Sequence, residues 1–409
     1  MRFRWLLLGA IILSAGLPAR SQQPALDTTT FVVLGDGLAA GMGDFSLHEV
    51  YQENSFPAQM ARQMGALFPQ PLIEAPGIGN AEGFPPLPAK SPTFGQTTVR
   101  TLFPPSLFIF NLSVPGLRLQ DAIAKPPAPP LIQESDPLQT SINFILGYPS
   151  LILGEDIPNW AQLEYAEAMV PSMALVSLGY TDAVRAAVAG NPDLLTGADQ
   201  FRSDYATILG RLKRIYPNPT VIALTVPDPM DSAYFATLAQ ATAYVGAPAN
   251  VLAGLYGLRG DDLITLPALM AMGRQILADN VEALPPGSIV SAQAAQQVRD
   301  RVRAYNSGIS SLAQEHGAEL YDLNGLFQSV RSSGVQAGAE RLTADYLRGF
   351  YSLNGLYPGS TGQGVIANEL LKLLNQKFQK SYPLVDLATL AKKDPAARFR
   401  PARRSRELR

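Results

Sequence analysis

The 409-residue chain contains no cysteine and only two histidines, His48 and His316. The first absence excludes a disulfide framework, a thiol nucleophile and every cysteine-ligated metal site. The second leaves little material for a histidine base or a zinc centre. Charge is sparse, at 16% of residues and a formal net charge of −2, while 47% of residues are apolar, which fits a globular chain and not a disordered one. Gly-x-Ser-x-Gly, His-Glu-x-x-His and Walker-type patterns are missing. The run Gly77 to Gly83 has the wrong glycine spacing for a dinucleotide fingerprint and leads into prolines, so it reads as a loop. No metal and no cofactor is expected. His316 precedes Gly317 at an expected helix end, where an imidazole favours the negative end of the dipole. His48 falls in an expected surface loop with no second ligand at a usable spacing.

The two ends are unlike the middle. Residues 1–21 combine Arg2 and Arg4, an apolar run from Trp5 to Leu17, and small residues at Ala19 and Ser21. The run is shorter than the ~20 residues that span a bilayer, so the segment reads as a cleaved signal peptide and the expectation is a secreted or periplasmic, bacterial protein. At the other end, Lys392 to Arg409 holds eight basic residues against Asp394 and Glu407. Residues 386–409 are therefore expected to be a disordered, solvated tail able to touch an anionic envelope surface. The body that remains is acidic, which argues against nucleic acid as a partner.

Between these ends, residues 22–385 read as one α/β domain in which short β-rich runs alternate with amphipathic helices. Strands are expected at Thr30–Leu34, Met173–Leu178, Thr220–Val226 and Ala318–Leu323, with Leu107–Leu112 extended and Pro71–Glu74 a weaker candidate. Phe201, Tyr205, Ile208, Leu209, Leu212 and Ile215 recur at helical spacing, as do Val298, Val302, Tyr305, Ile309 and Leu312; Ile366, Leu370, Leu371 and Leu374 mark a last helix. Two segments break the rhythm. The prolines from Pro126 to Pro130 and the apolar stretch Phe144–Leu153 predict irregular connections. Ala233 to Ile276 has four charged residues, Arg259, Asp261, Asp262 and Arg274, and reads as an apolar insertion of short helices over the top of the sheet.

The most informative run is Phe31-Val32-Val33-Leu34-Gly35-Asp36-Gly37-Leu38, a hydrophobic strand that ends in a sharp turn. It resembles the first block of the SGNH (GDSL) hydrolases, Gly-Asp-Ser-Leu, in which the serine is the nucleophile. Asn111-Leu112-Ser113-Val114-Pro115-Gly116 resembles the second block, Leu178-Gly179-Tyr180-Thr181-Asp182 the third, and Tyr351-Ser352-Leu353-Asn354-Gly355-Leu356-Tyr357-Pro358 the last, Asp-x-x-His-Pro. The resemblance implies a three-layer α/β/α, flavodoxin-like fold with a parallel sheet, strand one central, and residues 37, 116, 181, 354 and 357 gathered at the carboxyl ends of the strands.

The same resemblance implies damaged chemistry. Gly37 stands for the serine, Thr181 for the oxyanion asparagine, Asn354 for the aspartate and Tyr357 for the histidine. Ester hydrolysis of this type needs a nucleophile, a base and a carboxylate that orients the base, and a phenol titrating near ~10 is a poor base at neutral pH. Two readings follow. One is a catalytically degenerate pseudo-hydrolase that keeps a cleft for an acyl, ester, glycan or carboxylate ligand, bound through Asp36, Gly37, Gly116, Thr181, Asn354 and Tyr357, the alternative at that place being that Tyr357 fills the space at Gly37 and the cleft is packed. The other is an active ester or acyl hydrolase with non-standard residues, which would need a serine or threonine hydroxyl within hydrogen-bond reach of His48 or His316. A carbohydrate-modifying role rests on the family likeness alone.

Overall fold

The computed structural model describes residues 26–84, 99–100 and 106–400; the 1–21 leader therefore lies outside the described residues. Four parallel strands form the central sheet: β1 (Phe31–Gly35), β2 (Met173–Ser177), β3 (Thr220–Leu224) and β4 (Glu319–Tyr321). They are ordered β1-β2-β3-β4, with Phe31 opposite Met173, Met173 opposite Thr220 and Ile222 opposite Glu319. β1 and β2 are buried throughout. Their unbroken apolar sequences reflect this, because a parallel strand covered on both faces has no solvent side to make polar.

The expected extended segment adds a fifth row. Val33 donates to the Phe110 carbonyl at 2.8 Å, Leu112 to Val33 at 3.0 Å and Val114 to Gly35 at 3.2 Å. With this segment numbered second along the chain, the order is 2-1-3-4-5, the flavodoxin-like doubly wound arrangement. β1 is thus next to one edge and β2 is central, a correction to the expected position of strand one. Pro71–Glu74 does contain a strand, Leu72–Ile73, but it pairs antiparallel with Val99–Arg100 outside this sheet.

Helices enclose the sheet in a three-layer α/β/α fold. They are α1 (Gly37–Ala40), α2 (Phe56–Met64), α3 (Leu119–Ala124), α4 (Gln162–Ala168), α5 (Tyr180–Ala189), α6 (Ala198–Leu212), α7 (Ala292–His316), α8 (Leu323–Ser332), α9 (Ser360–Phe378) and α10 (Leu387–Lys393). α6 packs against α3, α4 and α7, α3 also packs against α4, and α2 packs against α9. The apolar stripes expected on α6 and α7 are the buried ones: Phe201, Tyr205, Ile208, Leu209 and Leu212 on the first, Val298, Val302, Tyr305, Ile309 and Leu312 on the second. α7 ends at His316 with Gly317 in the left-handed region at φ 60°, as expected. The Gln363 side chain ties α9 to the first layer of turns, accepting from the Phe56 N–H at 3.0 Å and donating to the Leu38 carbonyl at 3.1 Å.

Three further expectations change. Phe144–Leu153 is regular, split between a helix over Pro137–Ile145 and a π-helical turn over Tyr148–Ile152. Asp136 caps that helix through the Gln139 N–H at 3.0 Å, and Asn143 gathers the proline-rich loop by donating to the Ala128, Pro130 and Leu131 carbonyls. The 233–276 insertion contains strands as well as helices. Phe235–Ala236 and Leu263–Thr265 form a small antiparallel sheet with Ile289–Val290, flanked by helices at Leu238–Val245, Ala249–Tyr256 and Leu266–Leu277.

The last correction concerns the basic tail. Residues 387–399 form α10 and a 3₁₀ turn, and Asp394 is buried. Its Oδ2 accepts from the Thr361 N–H at 2.9 Å and the Thr361 hydroxyl at 2.7 Å, which satisfies the open first turn of α9, and lies 3.5 Å from Arg400. A local count of basic residues conceals one acid that has a helix end to cap. Residues 401–409 lie outside the described residues. Asp394→Ala is expected to lower stability by about 2 kcal/mol, chiefly through the lost cap, with Arg400 keeping Glu340 at 3.5 Å as its remaining acid. Lys392→Ala, at an exposed position, is expected to stay within about 0.5 kcal/mol of the parent. Urea unfolding midpoints check both.

Candidate functional site

The turn after β1 and the turn after β2 are built around one carboxylate. Asp36 is fully buried; its Oδ1 accepts from the Leu38 N–H at 3.0 Å, starting α1, and its Oδ2 accepts from the Thr181 N–H at 2.8 Å, in the first turn of α5. Burial holds its carboxyl up to about 7 against an ordinary value of 3.8, while the Thr181 and Leu38 N–H groups pull downward. Gly179, which leads into α5, has φ 107°, and a Cβ there would lie 2.8 Å from the Phe201 ring. Glycine alone fits that conformation and that contact. The next acid extends the same device: Asp182 accepts from the Leu119 N–H of α3 at 2.9 Å and from the Thr196 hydroxyl at 2.6 Å, with its carboxyl raised to about 6 by burial.

The last block closes over this pair of turns. Asn354 is fully buried, and its Oδ1 accepts from the Leu356 N–H at 2.8 Å and the Tyr357 N–H at 2.9 Å. The Tyr180 hydroxyl, from α5, donates to the Leu356 carbonyl at 2.8 Å, and the Tyr180 and Tyr357 rings meet edge to face at 5.6 Å. Tyr357 is 2% exposed and reaches Gly37: a Cβ built at residue 37 would stand 2.9 Å from its hydroxyl and 3.0 Å from its ring. Burial, and then the nearby Asp36, push the Tyr357 phenol well above its ordinary range, so it carries no usable base.

Residues 37, 181, 354 and 357 are thus brought together at the carboxyl edge of the sheet, beside the point where the strand order reverses and where open α/β sheets place their sites. No protein-family model and no curated protein sequence matches the chain. Among solved structures, it is similar to the psychrotrophic esterase EstA from Pseudoalteromonas sp., in a structure inhibited by monoethylphosphonate, at 10% identity over 86% of this chain and 100% of that one, with a TM-score of 0.35. It is likewise similar to a lipase/acylhydrolase from Enterococcus faecalis, at 13% identity over 85% and 95% with a TM-score of 0.34. An extracellular lipase from Streptomyces rimosus stands at 14% identity over 85% and 98%, with a TM-score of 0.33.

The six expected ligand-binding residues separate into two environments. Asp36, Gly37, Thr181, Asn354 and Tyr357 are sealed inside the molecule. Of the two expected outcomes at Gly37, a ligand pocket or a packed tyrosine, the structure shows the second: Tyr357 occupies the space beside residue 37. Gly116 alone faces open space, in a cleft of about 470 Å³ that it shares with Asn80, Glu82, Ser141 and Arg185. Glu82 is half-buried, and burial raises its carboxyl while Arg185 lowers it.

The sequence offered no signal for this second wall, since residues 79–84 and 185 belong to none of the recognised blocks. Neither histidine bonds a hydroxyl among the described residues. His48 is half-buried rather than on a surface loop, its Nδ1 is shielded without a hydrogen-bond partner, and burial lowers its pKa.

A pH dependence follows from Asp36. Its folded-state pKa lies above the unfolded value, so the folded chain holds this proton more tightly and the stability it contributes falls as pH rises from about 4 to about 7. Asp36→Asn is expected to lose stability less steeply between pH 5 and pH 8 than the parent, read from urea unfolding at each pH. Parallel profiles for the two proteins would assign the titration to another group.

Proposed function

We propose that this chain is a catalytically silent SGNH hydrolase-like protein whose remaining capacity is ligand binding in the cleft beside Gly116. One observation carries the reading: the Tyr357 hydroxyl stands 2.9 Å from where a residue-37 side chain would begin. The nucleophile position is not merely empty of a hydroxyl but occupied by the residue that stands in the base position. Asn354 supports the same conclusion, because its side-chain oxygen is spent on two backbone N–H groups of its own turn. The alternative of an active hydrolase with non-standard residues lacks a base, since neither histidine ring is hydrogen-bonded to a serine or threonine among the described residues.

The cleft suits a polar ligand such as an acyl ester or glycan. Glu82 and Asn80 can bond hydroxyls and carbonyls, Arg185 can meet a carboxylate, and Phe84 and Leu138 supply apolar contact. In this reading the protein acts outside the cytoplasm, on the strength of the leader pattern in residues 1–21.

The parent protein is expected to hydrolyse p-nitrophenyl acetate at the background rate. Gly37→Ser alone is expected to remain inactive and to lose about 1–3 kcal/mol of stability, because the new side chain meets the Tyr357 ring. The combination Gly37→Ser, Asn354→Asp and Tyr357→His removes that ring and restores nucleophile, orienting acid and base together, so a rate above background is expected there. A parent rate that disappears on changing one serine or threonine would overturn the proposal.

A further inference from the structure

The insertion and the loop after α8 enclose a second cavity of about 510 Å³, separate from the Gly116 cleft. Phe235, Tyr244 and Leu269 give its lining apolar surface, and Arg331, Asp345 and Arg348 give it charge. Phe235 and Leu269 are buried, whereas Tyr244 is 52% exposed at the opening.

Arg331 is the unusual member. It lies in the last turn of α8, where a cation is favoured by the helix dipole. Its Nη1 is nevertheless shielded from solvent and donates to no acceptor. Such a donor forfeits its water without compensation. The one acid in the lining is already engaged: Asp345 accepts from the Gln240 amide at 3.0 Å and from the Thr343 hydroxyl at 3.2 Å. Arg348 adds a second, exposed cation. The cavity thus joins two guanidinium groups, Arg331 with one shielded N–H lacking an acceptor and Arg348 exposed, to apolar side chains, within the size range of small-molecule sites, about 300–1,000 Å³. A guanidinium fork matches the two oxygens of a carboxylate.

We propose that this cavity binds a single-chain amphiphile with a carboxylate head, such as a medium-chain fatty acid, with the head on Arg331 and the chain along Phe235, Tyr244 and Leu269. The site shares no residue with the Gly37 turn or the Gly116 cleft, so this proposal and the loss of catalysis stand or fall separately.

Calorimetric titration of the full-length protein with sodium decanoate tests it. Decanoate is expected to bind, with decanol at least about tenfold weaker because it lacks the charge. Arg331→Gln is expected to weaken decanoate by about tenfold or more, and Arg331→Lys by less, since a point charge replaces the fork. Ala243→Trp, an exposed helix position lining the same cavity, is expected to abolish binding by filling it while leaving the thermal midpoint unchanged. Absence of binding to about 1 mM decanoate, equal affinity in the Arg331→Gln protein, or undiminished binding after Ala243→Trp would overturn the proposal.

Discussion

The carboxylate of Asp36 is the constraint on which the rest of this structure depends. It sits where two strand-to-helix turns meet and gives one oxygen to each, the Leu38 N–H after β1 and the Thr181 N–H after β2. Buried backbone N–H groups at a helix start must find acceptors, and here water cannot supply them. Desolvation of the acid opposes this arrangement, as its raised pKa records, and the two backbone bonds together with the positive ends of two helices offset it. Asp182 repeats the solution one residue beyond Thr181, joining α5 to α3 and to Thr196. Gln162 completes the frame by donating to the Gly35 carbonyl at 2.8 Å and the Leu112 carbonyl at 2.7 Å.

Under the proposed reading, that frame keeps the shape of the site without its chemistry. The residues that would react contribute little to the turns, whereas Asp36, Gly179 and Asp182 hold them. Once residue 37 has no side chain, Tyr357 settles into the space, and its ring packs against Tyr180. Burying such a ring is favourable in itself, so the closed form needs no ligand to maintain it. Open volume lies instead in the Gly116 cleft and in the cavity beneath the insertion.

The carboxyl-terminal segment belongs to the same economy of buried acids. Asp394 caps α9 as Asp36 caps α1, and Gln363 and Gln59 use their amides on neighbouring backbone. Each joins segments roughly thirty to three hundred residues apart in the chain. Interactions of this kind are what a packed α/β domain uses wherever apolar contact alone would leave peptide groups unpaired.

The sequence by itself determined the parallel sheet, its strand positions and the turns around Asp36 and Gly179. Those features rest on short-range rules: unbroken apolar runs for strands covered on both faces, helical periodicity for α6 and α7, and a glycine where φ is positive. It also made Gly37, Asn354 and Tyr357 legible as one set, since each falls in a block that carries the resemblance. Whether the space at Gly37 held a ligand or Tyr357 was not legible, because the two residues are far apart in the chain and only the packed fold sets the phenol hydroxyl 2.9 Å from where a residue-37 side chain would begin. The same holds for Asp394, which read as one acid in a basic tail until α9 presented it with an uncapped helix end. Composition and periodicity describe a residue by its neighbours in sequence; burial, shielding and the pairing of charges depend on neighbours in space, which only the tertiary structure decided.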